Sequence, residues 1–278
     1  MLMEPFEINY LKFLLGAIIA SILAVSAVKK HSLTFDGAVG MVAVGSLVYG
    51  IGGLIWAVPI IYFFISSSLL TKLRSPQKNK AIMSFDKAGA RDLRQVLANG
   101  GIPTLTSILY LFTGWQGWFI VYLASIAEAS ADTWATEIGT MSSRKPVSIL
   151  DFKEVETGRS GAVSFVGSIA SIAGAVSTTL SGFLATQLFS SGWESFSLIV
   201  AIPSAGAVLG CFLDSVFGAT LQAQYRDPDS CRLTEKRSAG DKRYQLVRGV
   251  SFIDNDLVNF FSGGAATIVA MLLYYFLY

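Results

Sequence analysis

The sequence predicts an all-α, polytopic membrane helical bundle, and three observations carry that prediction. Hydrophobic residues fill 53% of the 278 positions and charged residues only 14%, against about 25% charged in a soluble chain. The mean hydropathy is +0.56. Apolar stretches of spanning length recur along the chain, and the polar segments between them hold nearly all the basic residues.

A membrane helix needs about 20 mostly apolar residues. Residues 11–28 supply the first. Residues 37–70 carry no charge in 34 positions, too long a run for one span, and Gly50-Ile-Gly-Gly53 divides them into a hairpin of two short helices. Residues 96–112 and 115–139 form a second hairpin, turning at Thr113-Gly114. Residues 161–188 and 195–224 form a third, turning at 190–194, and 257–278 close the chain. That gives eight spans, or seven if the 37–70 pair is merged. With eight, the polar segments 29–36, 71–95, 140–160 and 225–256 fall on one side and hold 20 of the 21 Lys and Arg; Lys12 is the exception. The other side carries Glu4, Glu7 and Glu194. The positive-inside rule then puts the basic segments in the cytoplasm and both termini outside. Merging the pair scatters the basic residues over both faces, so eight spans in a single membrane domain, 1–278, are expected.

Composition excludes several chemistries. One histidine, His31, rules out a multi-histidine metal site and argues against a Ser-His-Asp triad. Cys211 and Cys231 form no CxxC pair or disulfide framework. Residues 1–9 hold two glutamates and no basic residue, unlike a cleavable signal or transit peptide. There is no GxxxxGK[ST], and no polar segment is long enough for a soluble nucleotide-binding fold. The basic segment 71–95 lacks any nucleic-acid motif and reads as a headgroup or phosphate contact.

Charge at membrane depth costs roughly 2.5–3.5 kcal/mol on insertion scales, so intramembrane acids mark function by default. The fifth span holds Glu128, Asp132 and, near its end, Glu137; the first two are four apart and share a helix face. Small neighbours, Ala124, Ala131, Ala135 and Gly139, let a backbone or ligand approach. The seventh repeats the device with Gly206, Gly210, Asp214, Gly218 and Gln222 at four-residue intervals. The eighth opens on Asp254, Asn255, Asp256 and Asn259. All these acids lie toward the cytoplasmic ends of their helices, so three helices deliver carboxylates and amides to one cytoplasm-facing cavity. Oxygen donors without His or Cys suit Mg²⁺. The bland alternative is that the acids pair with cations from the loops and only hold helices together.

Three segments could hold phosphate. Thr157-Gly-Arg-Ser-Gly161 precedes the sixth span, where free N–H groups and the helix dipole favour an anion and Arg159 adds a forked donor. Arg91 and Arg94 lead into Asn99-Gly-Gly101 and Pro103, an expected break in the fourth helix that would line a cavity. Ser66-Ser-Ser-Leu-Leu-Thr-Lys72 ends the third span.

At this point the chain resembles a known family, the integral membrane proteins that include transmembrane protein 19 and plant phytyl-phosphate kinase of vitamin E synthesis. The resemblance rests on Lys30-His-Ser-Leu-Thr-Phe-Asp-Gly37, Phe64-Ile-Ser-Ser-Ser-Leu-Leu-Thr-Lys72, Gln95-Val-Leu-Ala-Asn-Gly-Gly101 and Ala131-Asp-Thr-Trp-Ala-Thr-Glu-Ile-Gly139. It continues in Gly158-Arg-Ser-Gly161, Leu213-Asp-Ser-Val-Phe-Gly-Ala-Thr-Leu-Gln222 and Asp254-Asn-Asp-Leu-Val-Asn259. It implies a prenyl-phosphate kinase that converts phytyl or geranylgeranyl phosphate to the diphosphate with a nucleoside triphosphate, CTP being favoured over ATP. Where some members carry cysteine and histidine pairs, residues 224–249 hold only Cys231, so no zinc clip is expected there. The expected machinery is Asp132, Asp214 and Asp256 with Glu128 on Mg²⁺. Phosphates would meet Gly158, Arg159, Ser160, Gly161, Arg94, Lys72, Asn99 and Asn259, and the lipid tail would lie between spans. The rival reading is an ion-coupled transporter using the same acids.

Overall fold

The computed structural model describes residues 9–83, 85–87, 89–190, 195–229, 232–239 and 241–278. Glu4, Glu7, Glu194 and Cys231 lie outside them. The architecture is a helical membrane bundle. Among the described residues six helices are long and apolar enough to cross a membrane.

Helix α1 (Tyr10–Lys29) starts where the Asn9 side chain accepts from the backbone of Leu11 and Lys12. Its buried face is a row of small residues, Gly16, Ala20, Ala24 and Ala27. Small residues let membrane helices approach closely, and this row packs on α2 (Phe35–Lys72). Straight, α2 would run about 57 Å at 1.5 Å per residue, nearly twice a hydrocarbon core of about 30 Å. It does not run straight. At Gly53 the backbone leaves helical geometry (φ 64°, ψ −152°), and the chain doubles back. Both ends consequently meet Arg91: Thr34 near the start donates to its carbonyl oxygen, and Ser68 near the end accepts from its guanidinium. The expected hairpin is therefore built at the expected glycines.

A short helix, α3 (Pro76–Ile82), precedes α4 (Leu93–Thr113), which begins with a capping box of Asp92 and Gln95 and ends at left-handed Gly114. Contrary to the expected break, α4 is continuous through Asn99, Gly100 and Gly101. The glycines are there for packing, Gly100 on Val44 and Gly101 on Phe260. Helix α5 (Gly117–Gly139) is the centre of the bundle; nearly every residue from Gly117 to Ala131 is buried. It packs against α2, α4, α6 (Phe165–Phe189), α7 (Ile202–Thr220, extended by a π-helical turn at Ser197–Ala201) and α8 (Asn255–Leu277). Thr178 of α6 donates to Ser130 of α5, and Gly206 and Gly210 of α7 lie against Ala266, Ala270 and Ser262 of α8.

The polar segments at one end of the bundle are not plain loops. Strands β1 (Val147–Ser148) and β2 (Ala162–Val163) pair antiparallel. Strands β3 (Gln224–Arg226), β4 (Leu233–Thr234) and β7 (Gln245–Arg248) form a sheet in the order β4-β3-β7, and β5 (Ser238–Ala239) pairs with β6 (Lys242–Arg243). Because β2 intervenes, α6 starts at Phe165 rather than at Gly161, with Ser164 as its cap.

Candidate functional site

A cavity of about 640 Å³ opens at that end, walled by α3 to α8 and by the segments carrying the small strands. It brings together most of the residues the sequence singled out: Asn99 of α4, Asp132 of α5, Asp214 of α7, Asp256 and Asn259 of α8, and the turn Gly158-Arg159-Ser160-Gly161. Three others are not in its wall. Lys72 is exposed at the end of α2. Arg94 is 61% exposed and turned to Asp254, its Nη2 lying 2.8 Å from Oδ2. Glu128 is buried beneath the floor, 2% exposed.

The floor is anionic. Asp214 Oδ2 accepts from Ser262 Oγ at 3.0 Å. It also accepts from the Asn259 amide nitrogen at 3.3 Å, in the amide orientation that satisfies both groups. Glu128 lies within electrostatic range of Asp132 and Asp214, its Oε1 is buried with no hydrogen-bond partner among the described residues, and Gly210 and Gly263 leave room around it. Among the described residues none of these three acids has an ion pair. Asp256 differs. Lys87 Nζ lies 2.5 Å from its Oδ2 and 2.7 Å from Asp92 Oδ2. Burial pulls the Lys87 ammonium down, but the two carboxylates more than offset this and hold it above its ordinary range. Loop cations thus do pair with helix-end acids. Glu137, near the end of α5, is held by buried Lys78 (2.5 Å) and by Thr71 Oγ1 (2.6 Å). Lys78 also donates to the carbonyls of Leu70, Thr71 and Leu73 and so closes the C-terminus of α2.

No three His, Cys, Asp or Glu side chains among the described residues converge tightly enough to chelate an ion. The three aspartates therefore share a cavity without forming a ready-made cage, and Asp256 already has a cation. What remains, Asp132 and Asp214 with Glu128 behind them, fits an ion that keeps its waters and takes one or two carboxylates plus phosphate oxygens, as Mg²⁺ does.

The lining also carries cations. Arg74, Arg91, Arg159 and Arg237 belong to it, with no carboxylate at ion-pair distance among the described residues. Arg91, three residues before Arg94, points inward: its guanidinium donates to Ser68 and lies 6.0 Å over the Phe64 ring. Burial pulls it below its usual range, with the charge of Glu137 pushing back. The turn bearing Arg159 is fixed by glycine geometry. Gly158 and Gly161 have φ of 89° and 79°, and a Cβ would press into Ala81 of α3 and Ala219 of α7. Arg248 donates to the carbonyls of Ser160 and Gly218 and ties the turn to α7. The turn is therefore not the N-terminus of α6, and any anion affinity it has comes from Arg159 and its backbone rather than from that helix dipole.

Glu235 is among the residues the sequence did not flag. It reaches in from after β4 and accepts from Ser160 Oγ (3.0 Å), Gln222 Nε2 (2.8 Å) and the Asp86 amide (3.3 Å). Burial raises its carboxyl above the ordinary range despite those donors.

Protein PGR of Arabidopsis thaliana is 28% identical over 270 residues, 90% of this chain and 92% of the relative. The uncharacterized membrane protein MJ0933 of Methanocaldococcus jannaschii is 32% identical over 212 residues, 76% of this chain and 84% of its own. An uncharacterized membrane protein of Synechocystis, sll0875, is 28% identical over 186 residues, 63% and 69% of the two chains. No solved structure matches the chain. The family model for "Integral membrane protein DUF92" matches residues 18–267, and the chain, a membrane bundle with an acid-floored cavity at one end, belongs to that family.

Proposed function

We propose that the chain is a membrane-embedded prenyl-phosphate kinase, with Mg²⁺ as its cofactor and CTP favoured over ATP as donor. One observation carries the reading beyond the family resemblance. A single cavity combines acids without ion pairs among the described residues (Asp132 and Asp214, with Glu128 buried beneath them) and arginines likewise without a carboxylate at ion-pair distance (Arg74, Arg91, Arg159, Arg237). A metal–polyphosphate complex satisfies both halves at once, its cation on the acids and its phosphates on the arginines.

The reaction asks little else of the protein. A prenyl phosphate oxygen attacks the γ-phosphorus of the donor, the bond from that phosphorus to the β–γ bridging oxygen breaks, and nucleoside diphosphate leaves. The nucleophile is already anionic, so no strong base is needed, in keeping with the single histidine. Catalysis of this kind is positioning plus charge stabilisation. Asp132 and Asp214 would hold Mg²⁺, which when bound would offset the negative charge of the phosphates. Asn259 and Ser262 fix the Asp214 carboxylate. Arg159 would hold the donor phosphates, and Lys87 would keep Asp256 neutralised at the rim. By the placement of 20 basic residues, the cavity would face the cytoplasm, where nucleotide is available.

The test uses purified protein, Mg²⁺, and CTP or ATP with phytyl and geranylgeranyl phosphates. The reading expects a lipid diphosphate formed in step with nucleoside diphosphate. Flux of an ion or solute across proteoliposomes without nucleotide turnover would instead favour the carrier.

A further inference from the structure

The polar cavity has a neighbour. A cleft of about 90 Å³ lies between α1, the two arms of the α2 hairpin and α4, lined by apolar side chains such as Ile19, Leu23, Val44, Phe63 and Val96. At one end it reaches Arg91, Gln95 and Asn99, which also line the large cavity. The same three side chains thus divide an apolar slot among membrane helices from a charged chamber. Arg91 stands on that boundary with its guanidinium on Ser68 and over Phe64, and no carboxylate at ion-pair distance among the described residues.

An apolar slot ending on a guanidinium with no ion pair among the described residues suits an apolar chain with an anionic head, and the kinase reading makes that head a phosphate. A forked donor suits phosphate oxygens, and partial burial strengthens the contact. We infer that this junction is the binding site for the acceptor: Arg91 holds the phosphate of a phosphomonoester lipid, and the carbons next to it occupy the cleft. The inference deepens the kinase reading and takes the acceptor's class from it. Size sets a further consequence. Pockets that enclose a whole drug-sized ligand run to roughly 300–1,000 Å³, so the cleft seats only the carbons next to the phosphate. The remainder of the chain leaves between the helices into the bilayer. Chain length beyond the cleft is therefore weakly discriminated, whereas the presence of a chain is required.

The experiment measures binding of radiolabelled geranylgeranyl phosphate to the full chain in lipid nanodiscs, without nucleotide, alongside the transfer assay. Arg91→Gln removes the guanidinium but keeps the backbone bonds of residue 91 to Ser32 and Thr34, and should weaken binding roughly ten- to hundredfold, the span for one charged hydrogen-bonding group. Ala57→Leu fills the cleft from the second arm of α2, and Leu23→Trp fills it from α1 should the first not fold; either should also weaken binding. Geranyl and geranylgeranyl phosphates at equal mole fraction should bind alike, and inorganic phosphate should fail to displace them at matched concentration. Unaltered lipid binding in folded Arg91→Gln and cleft-filling variants, with transfer intact, overturns the site and leaves the kinase reading standing. Binding lost in those variants but no diphosphate from the wild type leaves the site standing and overturns the kinase reading. Displacement by inorganic phosphate as effective as by the lipid overturns the role of the cleft.

Discussion

The residues divide into those whose roles are local and those that exist only through tertiary pairing. Asp132 and Asp214 were legible because a carboxylate inside an apolar helix has few explanations. Lys78 and Glu235 were not: in sequence they are ordinary members of polar segments, and only folding carries one under α2 and the other onto Ser160. Their removal should give opposite results. Lys78→Met leaves half-buried Glu137 without its cation and the carbonyls at the end of α2 without the lysine that gathers them, so unfolding should become easier by about 3 kcal/mol, the low end for breaking a buried pair. Thermal and denaturant midpoints check this, and adding Glu137→Leu should recover much of the loss. For Glu235 the sign runs the other way. Burial lifts its folded value above the unfolded one, so its contribution is fully present below the ordinary glutamate range, about 4, and is lost as pH rises through the folded value. Glu235→Gln keeps an acceptor for Ser160 and cannot ionise. Its melting temperature should exceed the wild type's at pH 8, and the gap should close as pH falls toward about 4; a gap that widens on acidification contradicts the assignment.

At the scale of elements, periodic and compositional signals were read correctly where helix and lipid decide the outcome. The α2 hairpin was legible because 34 uncharged residues exceed one span and its glycines cluster at the middle. The continuity of α4 was not, since Gly100 and Gly101 read as breakers and become packing residues only when Val44 and Phe260 arrive from other helices. The start of α6 was displaced by four residues for a similar reason. Ala162 and Val163 pair with Ser148 and Val147, and no local pattern announces a two-residue strand. The turn before it yields an element-level prediction. Gly161→Ala adds a methyl group at a positive φ and against Ala219, so the turn must shift. Nucleotide affinity should fall more than the melting temperature does, read by nucleotide titration beside thermal unfolding.

The whole molecule is asymmetric along its axis. The small strands, α3, the cavity and the basic residues other than Lys12 gather at one end, and the α4–α5 turn with Gln116 lies at the other. Single cysteines at exposed Lys80, Lys153 and Ser238 should react with an impermeant reagent only from the cytoplasmic face, and one at exposed Gln116 only from the opposite face. Mixed accessibility among the first three would separate the cavity from the nucleotide pool. Within that frame Asp132 and Asp214 carry the central claim, that a metal–nucleotide complex on this floor passes its γ-phosphoryl group to a lipid phosphate. Asn at either position preserves shape and removes the charge the metal needs, and should cost roughly two to three orders of magnitude in turnover while the protein stays folded. The most direct measurement is transfer of label from γ-labelled CTP to geranylgeranyl phosphate across a Mg²⁺ titration, normalised to folded protein, for the wild type and for Asp132→Asn and Asp214→Asn. The account predicts labelled lipid diphosphate from the wild type and almost none from either variant at any Mg²⁺ concentration; near-normal turnover per folded molecule in both variants, or no labelled lipid from the wild type, would contradict it.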